Sequence, residues 1–216
     1  MTVTIRPATD TFTPRQQAVL TAALDLLVEA GDGLTMTAVA RRASCSKETL
    51  YKWFGDREGL LTATVQWQAA KVRVPLVDRR SLDAASLRQT ISQFGRDLLA
   101  TLAGSTSVTL NRLAISHASE HNGLGAIVLD NGRFTMGKRL KPVLEAGRDA
   151  RLLRFDNSES AFRTFFGLVV RDVQIRLLLG DKFAPSAKEI EADAEQATEQ
   201  FLTLYGTNTN RPNGQR

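Results

Sequence analysis

Between residues 35 and 57 the chain gathers side chains that can read or grip a nucleic acid. Lys47, Glu48 and Thr49 follow one another, then Tyr51, Lys52 and Trp53, then Arg57. Lysine can donate to guanine, and glutamate can accept from the exocyclic amine of cytosine. Threonine can meet a base edge or a thymine methyl. Tyr51, Lys52, Trp53 and Arg57 suit phosphate oxygens, which set register rather than sequence. Thr35, Thr37 and Arg42 lie just upstream, with hydroxyl and guanidinium groups of the same use. Each has a blander reading. Tyr51 and Trp53 could be packing residues, and Arg41 and Arg42 fit a solvated helix face.

A second constellation is His117, Glu120 and His121, spelling H-x-x-E-H with the chain's two histidines. On a helix, histidines four apart share a face and can hold zinc, with the glutamate as base. Nothing marks a third ligand, so a polar helix face is the preferred reading. Cys45 is the sole cysteine. It cannot close an internal disulfide, and no histidine or second cysteine lies near it in sequence, so it reads as a small packing residue. Residues 133–154 hold Arg133, Lys138, Arg139, Lys141, Arg148, Arg151 and Arg154. They suit an acidic ligand or, more simply, a solvated face. The run from Gly123 to Ala126 follows no strand and is not read as a nucleotide loop.

The elements that must position these groups are helical. In residues 14–30, Val19, Ala22, Ala23, Leu26 and Leu27 recur at helix-face spacing, and Gly31 and Gly33 stop the run. Thr35 can cap a second helix carrying Val39 and Ala40, and Ser46 a third with Leu50 turned inward. Asp56 can cap a fourth running toward Val74, where Pro75 would end it. Further helices are expected over 86–102, 108–121, 124–146, 158–179 and 186–205. Pro142 should kink or end the third of these, and 151–156 forms a loop. No alternation typical of strands is present. The expected fold is all-α: a three-helix helix-turn-helix domain over 12–56, a larger helical domain over 57–205, and a disordered tail over 206–216.

Composition narrows the class further. The 216 residues carry 28 basic and 23 acidic side chains, a net charge of +5. That permits a nucleic-acid partner without requiring one. Residues 1–74 hold 9 basic and 7 acidic groups, residues 75–155 hold 12 and 7, and residues 156–216 hold 7 and 9. The excess is thus largest outside the first segment, although residues 35–57 alone hold five basic groups against two acidic. No run approaches the roughly 18 apolar residues of a membrane span. Residues 1–15 lack the apolar core of a signal peptide. The expectation is a cytoplasmic protein with no membrane association, no cofactor and no metal.

The stretch 34–61, LTMTAVARRASCSKETLYKWFGDREGLL, resembles the tetracycline-repressor (TetR) family of bacterial transcriptional regulators. Thr35, Val39, Ala40, Ser46, Thr49, Leu50, Tyr51, Trp53, Phe54, Arg57 and Glu58 fall on the family's pattern. The resemblance covers roughly residues 15–62. Ser44 and Cys45 stand where glycine and a branched apolar residue are usual. Glu48 stands where a small residue or proline is common, and Trp53 where histidine or tyrosine is. The resemblance implies a non-enzymatic homodimer that binds a palindromic double-stranded DNA operator, acts as a repressor, and is released by a small-molecule effector, with 57–205 as its helical ligand-binding and dimerisation domain. Residues implied to contact DNA are Thr35, Thr37, Arg42, Lys47, Glu48, Thr49, Tyr51, Lys52, Trp53 and Arg57. An effector pocket is expected among the middle helices, with Trp67, Phe94, Leu98, Arg112, Ile115 and Phe134 as candidates. Apolar stripes on the last two helices, marked by Phe165, Val169, Val173, Ile190, Ala194, Ala197 and Phe201, are assigned to a four-helix dimer interface. A zinc hydrolase built on His117 and His121, or an effector-free DNA-binding protein, are the alternatives.

Overall fold

A computed structural model describes residues 12–30, 34–75, 81–116, 118 and 123–207. The helices are α1 (Pro14–Ala30), α2 (Met36–Arg42), α3 (Lys47–Phe54), α4 (Arg57–Ala69), α5 (Ala84–Ala103), α6 (Ser105–Ser116), α7 (Leu124–Val128), α8 (Phe134–Asp149), α9 (Ser158–Val170), α10 (Val173–Leu178) and α11 (Ala187–Tyr205). Among the described residues, the β structure is limited to an isolated antiparallel bridge between Leu153 and Gly206. None of the described helices is long and apolar enough to cross a membrane.

Two apolar clusters hold the helices. The first joins Val19, Leu20, Leu27, Val39, Leu50 and Phe54 and runs on through Leu60, Leu61 and Val65 of α4. The second begins with Ala69 and Val72 and gathers Leu87, Phe94, Leu98, Leu144, Phe162 and Phe201. α4 therefore belongs to both clusters, one at each end. Full burial of one such leucine or phenylalanine contributes about 1.5–3 kcal/mol, so these clusters dominate the fold.

Several sequence expectations change at element ends. The fourth helix stops at Ala69 rather than near Val74. The Arg139 guanidinium donates to the carbonyls of Ala69 at 2.6 Å and Val72 at 2.9 Å, satisfying groups a longer helix would have used. The single helix expected over 124–146 is α7, a π-helical turn at Leu129–Arg133, and α8. Pro142 sits inside α8 without ending it. Buried Leu140, Val143 and Leu144 pack in the second cluster and offset the lost backbone bond, a cost of about 3 kcal/mol. The helix expected over 158–179 breaks at Arg171, whose φ of 45° lies in the left-handed region. Its guanidinium holds the break by donating to Asp193 at 3.1 Å and Gln196 at 3.0 Å on α11. Gly206 and Thr207, expected in a disordered tail, instead pair with 152–154 through Arg154 N–H to Tyr205 and Thr207 N–H to Leu152. Residues 208–216 lie outside the described residues, as do His117, Glu120 and His121.

The stripes on α9, α10 and α11, expected at a dimer interface, are covered within the subunit. Phe165, Val169, Val173, Ala194, Ala197 and Phe201 are buried within the single chain, and Ile190 is half-buried against the same cluster. Phe165, Val169 and Ala194 lie against Gly95 of α5. Gly95 of α5 allows this close approach: a Cβ there would sit 3.2 Å from Phe165 Cζ and 3.3 Å from Val169 Cγ2. Phe165 and Phe201 meet edge to face at 5.4 Å between ring centres.

Candidate nucleic-acid interface and cavity

The α2–α3 unit is shaped by its caps. Thr35 Oγ1 accepts from Ala38 N–H at 3.1 Å, and Ser46 Oγ accepts from Thr49 N–H at 3.1 Å. Between the helices Ser44 adopts φ 50°, the position where glycine would cost nothing. The Ser44 carbonyl accepts from Arg15 of α1 at 2.7 Å, fastening the turn to the first helix. Leu50 and Phe54 are the buried face of α3. After α3, Gly55 turns the chain at φ 80° and Asp56 Oδ1 caps α4 through Gly59 N–H at 2.8 Å. Gly59 has no room for a side chain: a Cβ would lie 1.9 Å from the Phe54 carbonyl oxygen.

With that face anchored, α3 turns Lys47, Glu48, Tyr51 and Lys52 to solvent, and Tyr51 is 52% exposed. The Glu48 carboxyl is held below its ordinary pKa by its own backbone N–H, then by the Ser46 hydroxyl, with Lys47 adding charge attraction. It is an acceptor at neutral pH. Thr49 is half-buried, its hydroxyl 3.1 Å from that of Ser46. Trp53 is half-buried and meets Phe54 edge to face. Thr35 and Thr37 are exposed at the start of α2. Arg42 is exposed but paired with Glu29 at 2.5 Å, and the Arg57 Nε donates to the Leu34 carbonyl at 3.0 Å. These two arginines thus have structural partners that the sequence did not reveal.

A cavity of about 360 Å³ lies against the inner side of α4. Its apolar wall includes Val65, Ala69, Leu98, Leu110, Met136 and Phe166, and its polar lining includes Gln68, Ser107, Asn111, Arg133 and Gln174. Of the six sequence candidates, Leu98 lines it. Phe94 is fully buried in the second cluster, and Trp67 packs edge to face on Phe12. Arg112 donates to the Leu177 and Leu178 carbonyls at the end of α10. Ile115 and Phe134 are 61% and 51% exposed. Gln68 was missed, and Arg133 was singled out only as one of the cations of 133–154 suited to an acidic ligand, not as a cavity residue. The available signal for Gln68 was a polar residue four positions after Thr64 on a helix face that is otherwise apolar.

Comparison with known proteins agrees along most of the chain. Residues 19–64 match the model described as bacterial regulatory proteins, tetR family. Residues 89–207 match an AefR-like transcriptional repressor C-terminal domain. A TetR transcriptional regulator from Agrobacterium tumefaciens is 46% identical, with 91% of this chain and 97% of that chain covered and a TM-score of 0.76. The flavonoid-responsive regulator FrrA is 25% identical over 90% of this chain and 98% of its own, with a TM-score of 0.65. YdeS of Bacillus subtilis, an uncharacterised HTH-type transcriptional regulator, is 38% identical over 66 residues, which span 30% of this chain and 33% of that relative.

Proposed function

Because the chain belongs to the TetR family of transcriptional regulators, we propose that it is a repressor that binds a palindromic operator as a homodimer. A small molecule in the cavity beside α4 releases it. The observation that carries this reading is the exposed, hydrogen-bond-rich face of α3 opposite its buried Leu50 and Phe54. Lys47 and Glu48 stand in the first turn, the part of a recognition helix that meets base edges. Thr35, Thr37, Tyr51 and Lys52 are assigned to phosphates, with Thr49 and Trp53 closing the edge of the contact. Arg42 joins them by exchanging Glu29 for a phosphate. Arg57 supports the surface through Leu34.

Two copies would place their α3 helices in successive major grooves about 34 Å apart. With the apolar stripes of α9 and α11 buried in the subunit, pairing falls to the outward faces of those helices. α4 supplies the link to the effector: its first turn follows α3 and its last turns line the cavity. A ligand that favours one placement of α4 shifts the spacing of the two α3 helices. A ligand binding both placements equally would release nothing. That FrrA is flavonoid-responsive supports a small-molecule-responsive reading over an effector-free one.

Footprinting on the protein's own upstream region tests this. A protected sequence with two symmetric half-sites is expected. No protected palindrome there or genome-wide, at any salt concentration, would overturn it.

A further inference from the structure

Of the polar groups that line the mainly apolar cavity, Gln68 and Arg133 stand out by what they lack. Gln68 is 6% exposed and reaches in from α4, and its side-chain oxygen has no hydrogen-bond partner. A buried amide oxygen without a donor is costly and asks for an O–H or N–H from a guest. Arg133 ends the π-helical turn, and its guanidinium lies 4.7 Å and 4.4 Å over the rings of Phe162 and Phe166. Among the described residues no carboxylate pairs with it. Glu159 lies close enough to be felt but its Oε2 accepts from Lys141 at 2.9 Å, and Arg163 adds positive charge. Burial, the main influence, pulls the Arg133 pKa below its ordinary value.

The two groups sit on elements tied together next to the cavity. Gln66, two residues before Gln68, donates to Asn131, two residues before Arg133, at 2.9 Å. A guest that engages both groups therefore bridges α4 and the π-helical turn.

We infer that the cavity takes a small organic acid as its carboxylate, the anion pairing with Arg133 and a hydroxyl or N–H of the same molecule donating to Gln68. An apolar body would fill the space between Val65, Leu98, Met136 and Phe166. The volume is at the lower end of the ~300–1,000 Å³ common for small-molecule sites. Planar guanidinium and carboxylate groups pair bidentately, and the flanking rings hold the guanidinium plane for that contact. This assignment rests on the regulator reading, which it deepens by naming the effector's chemistry.

The test uses the full-length chain and a panel of hydroxylated aromatic and short-chain carboxylic acids, each matched with its neutral carboxamide. Binding is followed by calorimetry, and release by anisotropy of the footprinted operator. At least one acid is expected to bind saturably and release DNA, with its carboxamide weaker by roughly 10- to 100-fold. Arg133→Met should erase that preference. Arg133→Lys, which keeps the charge should the methionine variant fail to fold, should retain much of it. Gln68→Leu should weaken the hydroxylated acids and leave their deoxy analogues unchanged. Carboxamides binding as well as acids, acid binding that survives Arg133→Met, or no acid binding at all would each overturn the inference. The regulator reading stands through all three if the footprint forms and any neutral compound releases it, and fails separately if no footprint forms.

Discussion

Two basic regions of this chain look alike in composition and differ in what their charges do. On α3, Lys47 and Lys52 are exposed, and among the described residues neither has an ion pair. On and around α8, the cations are largely engaged. Arg133 stacks on two phenylalanines, Arg139 clamps the end of α4, Lys141 pairs with Glu159, and Arg148 lies 5.3 Å over the Phe155 ring. The α8 region is the more basic by count, yet most of its charge is spent inside the subunit. Charge left without a partner marks a surface for an outside anion; charge already partnered marks structure. Arg133 falls between the two, because its partners are rings and not carboxylates.

If this contrast is right, α8 substitutions lower stability while α3 substitutions lower DNA affinity. The largest stability effect is expected at Arg139→Met, which leaves the Ala69 and Val72 carbonyls without their charged donor. Thermal or urea unfolding should show a loss of about 2–3 kcal/mol. An unchanged melting curve would mean that the clamp is ornamental. Next comes Lys47→Ala, expected to cost about 1–3 kcal/mol of operator affinity at one base position with unfolding unchanged within about 0.5 kcal/mol. Lys52→Ala should weaken all sequences alike and reduce the salt slope of binding by about 1 per subunit. A base-specific effect at Lys52 would exchange the two roles. Lys141→Ala removes an exposed pair and should cost at most about 1 kcal/mol of stability. The smallest change is a gain: Ser44→Gly suits the φ of 50° at the α2–α3 turn and should stabilise by about 0.5–1 kcal/mol.

How far the sequence could be read follows from the range of each force. Caps act within three residues, so Thr35, Ser46 and Asp56 were legible one by one, and with them the α2–turn–α3 unit. Apolar periodicity reports that a face is buried but not what covers it. Phe165, Val169 and Phe201 therefore read as easily as a dimer seam as they do as packing on α5. The covering partner was decided by Gly95, seventy positions before Phe165, and no local pattern carries that. The break at Arg171 is held by a side chain reaching α11, and the π-helical turn at Leu129–Arg133 keeps the helix running, so periodicity ran straight through both. The cavity was illegible for a related reason. Its wall residues are the same types as the core, and its two telling groups, Gln68 and Arg133, are 65 positions apart.

The most direct measurement is hydroxyl-radical footprinting of the upstream region by the wild-type chain and by a Lys47→Ala/Lys52→Ala variant at equal concentration, with unfolding curves for both. The wild type should protect two patches one helical turn apart. The variant should unfold at the same temperature and protect neither. Equal protection by the two proteins, or none by the wild type, would contradict the assignment of α3 as the DNA-reading helix.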